Sequence, residues 1–128
     1  MRAHGHYMLH GHEPIPCINL MVWAQWFETA DRHVRKTRVR GYEISTVFLG
    51  LDHNYGDGEP LLFETLVFGG YETSTWPGSG RKVCVRCTVD GSRMATWDQA
   101  VAQHKVWVKL FRRSRRQQKR LDANHMPA

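Results

Sequence analysis

Two runs, Glu43–Leu51 (EISTVFLGL) and Leu61–Gly69 (LLFETLVFG), decide how the chain is read. Both are dense in β-branched and aromatic residues, the types that fit a pleated surface. Between them lies Asp52-His53-Asn54-Tyr55-Gly56-Asp57-Gly58-Glu59-Pro60, rich in turn formers. Two strands joined in this way make an antiparallel hairpin with a long loop. Both faces of each strand carry apolar residues, so cover is expected on both sides of at least part of the hairpin.

Upstream, Asn19 is placed to cap a helix over about 20–36. Leu20, Trp23, Phe27, Ala30 and Val34 recur at helical spacing, and Arg32, His33, Arg35 and Lys36 fall in the last turns, where the helix dipole favours cations. Downstream, Lys82–Val89 reads as a third strand. Asp90-Gly91 is a hairpin signal, which makes Ser92–Ala95 a short fourth strand. Thr96-Trp97-Asp98-Gln99 fits a capping box at the start of a second helix. One face of that helix carries Trp97, Ala100, Val101, His104, Trp107, Val108 and Phe111. The expected fold is α+β: an antiparallel three- to four-stranded sheet with two helices packed on it, in the order α-β-β-β-(β)-α. Residues 1–17 read as a His-rich flexible arm, 18–111 as a single α+β domain and 112–128 as a basic C-terminal tail.

The 128 residues are enough for one domain with its own core, and 41% of them are hydrophobic, which excludes a wholly disordered chain. No apolar run approaches the roughly 20 residues of a membrane-spanning helix. The first residues lack the apolar stretch of a secretion signal, so the expected location is the cytoplasm, with no membrane partner. Three cysteines, Cys17, Cys84 and Cys87, are too few for a disulfide scaffold. The charge is unevenly placed. Residues 112–128 hold six basic side chains and one acid, five of the formal six positive charges, while the body is nearly neutral.

Four segments form a recognisable set: Trp23–Arg32 (WAQWFETADR), Ser45–His53 (STVFLGLDH), Leu61–Phe68 (LLFETLVF) and Ala95–Ala100 (ATWDQA) with His104 after it. Together they resemble a family of short proteins encoded by bacteriophages and prophage-bearing bacteria, over about residues 18–105. The resemblance implies a phage or prophage setting and no particular chemistry. The His-rich arm and the Arg-rich tail depart from the family pattern.

Several constellations can carry chemistry. Arg112, Arg113, Arg115, Arg116, Lys119 and Arg120 in the tail, with Lys105 and Lys109 on the helix before it, can neutralise phosphates of DNA or RNA and release counterions. The same residues can equally be a solvated end that aids solubility. His10 and His12, in the arm with His4 and His6, are imidazoles suited to transition metals. Cys84 and Cys87 have the spacing of half a zinc site, but residues three apart on a regular strand point to opposite faces, which favours two structural cysteines. Zinc is therefore an alternative, and no cofactor is the expectation. Asp52, His53, Glu64 and His104 can hold a divalent metal or supply general acid and base. With Leu51 opposite Leu61, Glu64 faces Phe48 as a partly buried carboxylate, and His104 is its natural partner; a structural His–Glu hydrogen bond is the simpler outcome. Trp76, in a Gly-rich loop, can anchor a partner or pack onto the hairpin.

No phosphate-cradling loop, dinucleotide fingerprint or nucleophile elbow is present. Binding is therefore favoured over catalysis. The leading expectation is a small phage or prophage accessory protein that binds a host macromolecule: a protein, a nucleic acid or a ribonucleoprotein. The alternatives are a small metal-dependent hydrolase acting on nucleotides or nucleic acid, and a structural or assembly component of the virion.

Overall fold

The computed structural model describes residues 5–54, 56–75 and 82–113, and side chains outside 70–75 and 82–87. The elements in chain order are β1 (Tyr7–His10), β2 (Glu13–Pro16), α1 (Leu20–Thr29), β3 (His33–Val39), β4 (Tyr42–Phe48), β5 (Phe63–Thr75), β6 (Lys82–Met94) and α2 (Trp97–Arg112). β3-β4-β5-β6 is an antiparallel meander, and β1-β2 is a separate hairpin. The α+β class and the antiparallel sheet hold, with one strand and one hairpin beyond those expected. None of the described helices is long and apolar enough to cross a membrane.

The sheet core is a set of matched rows. Phe48 pairs with Phe63, Thr46 with Thr65 and Ile44 with Val67, and all six are fully buried. α2 lies over this row. Trp97 meets Phe63 edge-on, Phe111 meets Tyr42, and Ala100, with no exposed surface, lets the helix approach closely. Burying each large apolar side chain contributes about 1.5–3 kcal/mol. Thr96 accepts from the Gln99 amide and Gln99 reaches back to the Thr96 amide, so the expected capping box is formed. The alternate row, Val47 with Glu64, Ser45 with Leu66 and Glu43 with Phe68, is mostly half-buried. The helices and the β1-β2 hairpin pack on the first face, so among the described residues the expected double cover is a single one.

The first helix is shorter than its periodicity suggests. Asn19 caps it, accepting from Met21 and Val22. It stops at Thr29, because Ala30 turns extended and the Asp31 carboxylate accepts from the His33 amide. Arg32 to Lys36 are therefore not a helix end: His33–Val39 is an edge strand. Its turn into β4 is Arg40-Gly41, both at positive φ (51° and 84°), the requirement of a two-residue type I′ turn. A row of exposed cations on an edge strand also discourages pairing with other chains. The fourth strand expected after Asp90-Gly91 is instead the continuation of β6, which runs through that dipeptide to Met94 with a register shift between its partners Val67 and Phe68.

The expected flexible arm is folded over residues 5–17. Gly11, at φ 63°, opens the turn of the β1-β2 hairpin, and Tyr7 pairs with Pro16. Tyr7 donates to the Gly50 carbonyl and Asp52 donates to the Gly5 carbonyl, both at 2.8 Å. His12 stacks on Trp97 with centroids 3.8 Å apart, and His6 meets Trp23 edge-on.

A candidate polyanion-binding groove

The structure does not assemble Asp52, His53, Glu64 and His104 into one site. The register is one residue away from the expected one, so Glu64 pairs with Val47 rather than Phe48 and lies on the face opposite His104. There its Oε2 accepts from Arg93 Nε at 2.9 Å. Asp52 accepts from the amides of Asn54 and Leu61, which closes the loop, and the His53 amide donates to the Leu61 carbonyl. Among the described residues, no three His, Cys, Asp or Glu side chains come together to hold a metal ion. His10 is exposed at the hairpin turn, and His12 is taken up by Trp97. Trp76, Arg115, Arg116, Lys119, Arg120 and the side chains of Cys84 and Cys87 lie outside the described residues.

His104 has a different role from the expected one. It is 1% exposed and sits between β3 and β4. Nε2 is 2.9 Å from Thr37 Oγ1, Nδ1 is 2.7 Å from Thr46 Oγ1, and Thr46 Oγ1 is 2.6 Å from Thr65 Oγ1. A neutral imidazole satisfies this chain by donating through one nitrogen and accepting through the other. Burial holds the imidazole below its ordinary pKa, and the nearby Arg35 guanidinium pushes it further in the same direction.

Above this network the surface opens into a groove of about 500 Å³ lined by Arg35 and Thr37 from β3 and by His104, Lys105, Val108, Lys109 and Arg112 from α2. Lys105, Lys109 and Arg112 recur at i, i+4 and i+7, one stripe of the helix. Arg35 reaches the groove because β3 pairs it with Thr46, on the helix-bearing face of the sheet. Among the described residues, no acid lines the groove. Glu43, the acid nearest in register, lies on the alternate row and pairs with Lys36 at 2.7 Å. Arg38 and Arg40 line a second concavity of about 260 Å³ at the β3-β4 turn. The chain from Arg32 to Tyr42 holds five basic residues and no acid. That run was the available signal for Arg35; assigning 32–36 to a helix end hid it.

Four cations around a concave surface attract an anion by charge and give it several donors at once. Comparison of the chain with protein-family models, curated proteins and solved structures finds no match.

Proposed function

We propose that the protein is an accessory protein that binds nucleic acid, engaging the phosphate backbone through Arg35, Lys105, Lys109 and Arg112. Arg113, Arg115, Arg116, Lys119 and Arg120 extend the same positive charge along the chain. The observation that carries this reading is the meeting of β3 and α2: a strand cation and a three-cation helix stripe line one groove with no lining acid among the described residues. Phosphate contacts of this kind position a protein on nucleic acid without reading sequence, so the binding is sequence-tolerant. The resemblance to phage-encoded proteins supports a host macromolecule as the partner, in the cytoplasm of the infected cell.

The test is fluorescence anisotropy with labelled single- and double-stranded oligonucleotides at increasing salt. Four neutralised phosphates on duplex DNA lower the affinity on the order of 100-fold between 50 and 200 mM salt. Reversing two groove charges, Lys105→Glu with Lys109→Glu, weakens binding at least about 10-fold and flattens the salt slope. Removal of residues 113–128 flattens it separately. An affinity indifferent to salt and to both changes rules the reading out.

A further inference from the structure

A ten-residue helix is marginal in water by itself and depends on what its apolar face buries. α1 has no buried residue. Trp23, Trp26 and Phe27 lean inward and are half-covered, with Trp26 edge-on to Phe48. Its first turn faces outward: Leu20 is 57% exposed, Met21 70% and Val22 47%, with Ile18 at 77% just before it and Ile15 at 41% on β2. From Pro14 to Phe27 no residue is charged. The exposed surface of these five residues is on the order of 500 Å², the upper end of what a monomer ordinarily leaves open.

We infer that this surface is the interface of a two-fold dimer, with α1 of one protomer packed against α1 of its partner. A two-fold contact sets the same patch of both protomers face to face, so a charge near the axis meets its own copy. This patch has none. Two such patches together bury on the order of 1,000 Å², the area at which a specific interface begins. An anionic lipid surface is a poorer fit, because the exposed acids flanking the stretch are Glu13, Glu28 and Asp31. A nucleic acid has nothing here to pair with. No residue lining the basic groove belongs to α1 or β2, so the dimer presents two open grooves. The dimer does not depend on the nucleic-acid reading: one is tested by mass, the other by salt. If both hold, a long nucleic acid spans two grooves and binds more tightly than a short one.

The experiment is analytical ultracentrifugation of the full chain up to about 100 µM, where a dimer with Kd ~1 µM is nearly complete. The Ile18→Asp/Met21→Asp double variant runs in parallel, with circular dichroism to verify its fold. The wild type should sediment at twice the 14.9 kDa chain mass. The variant, altered only at exposed positions, should sediment mainly as a folded monomer at about 10 µM, where the wild type is still largely dimeric, with dimer affinity reduced at least 100-fold. A monomeric wild type, or a dimer that survives the double substitution, overturns the inference. Co-sedimentation of a monomeric wild type with phosphatidylglycerol vesicles, lost in the variant, reassigns the surface to lipid and overturns it too.

Discussion

α1 packs Leu20, Met21, Val22, Trp23, Trp26 and Phe27 into ten residues and buries none of them. α2 carries Lys105, Lys109 and Arg112 among its sixteen, yet it buries Ala100 and His104 almost completely. Burial here follows position rather than apolarity. α2 crosses all four strands of the sheet, and even its histidine is carried to the bottom of the interface and matched there by threonines. α1 touches the sheet mainly through Trp26 and the hairpin through Trp23, whose indole donates to the Tyr7 carbonyl. The apolar helix is left largely outside while the charged one is taken in.

The contrast can be broken most severely at Phe48, which both helices depend on. Phe48→Ala is expected to cost about 3–5 kcal/mol in urea unfolding. A smaller effect follows at the threonine chain. Thr46→Val strips the Nδ1 side of His104 of its partner in a buried site, at about 1–3 kcal/mol. The same site sets a pH dependence. The folded pKa of His104 lies below its unfolded value near 6.5, so the unfolded chain takes up the proton first. Its contribution is intact above that unfolded value and is lost as pH falls toward the lowered folded one. Melting temperatures from pH 8 to 4 should drop on the acid side in the wild type and drop less in His104→Gln.

The caps sharpen the comparison. Thr96→Ala removes the capping box of the sheet-bound helix and should lower global stability by about 1 kcal/mol. Asn19→Ala removes an equivalent cap from α1. Because α1 is so little buried, its loss should register first as faster amide exchange within 20–24 and only weakly in global unfolding. The smallest effect belongs to Met21→Ala, expected within about 0.5 kcal/mol in the isolated protomer. A large loss there would mean that α1 is buttressed in a way its exposure contradicts.

Local signals were legible in the sequence. Asn19 and Thr96-Gln99 announce both helix starts because capping needs only residues within one turn. β4 and β5 announce themselves by their β-branched and aromatic density, and Lys105, Lys109 and Arg112 are visible as a stripe. What failed was pairing. With apolar residues on both faces of both strands, one register is as plausible as its neighbour, and a slip of one residue moves Glu64 from the His104 side to the Arg93 side. β3 was hidden because Val34 falls in helical phase with Ala30, and because Arg and Lys are good helix formers. The Arg40-Gly41 turn, lacking an Asn or Asp, gives little warning of a tight hairpin. For these reasons together Arg35 reads as part of a helix end, and the groove it lines is not legible with it.

The two backbone hydrogen bonds that tie residues 5 and 7 to residues 52 and 50 also impose an order of events. They join points more than forty positions apart in the chain, and α1, β3 and β4 lie inside the loop they close. Closing a loop of that length yields nothing until its far end is in place. The amino-terminal hairpin is thus a long-range clasp: it has nothing to pair with until the end of β4 is formed, and once paired it fixes both ends of the segment that carries α1.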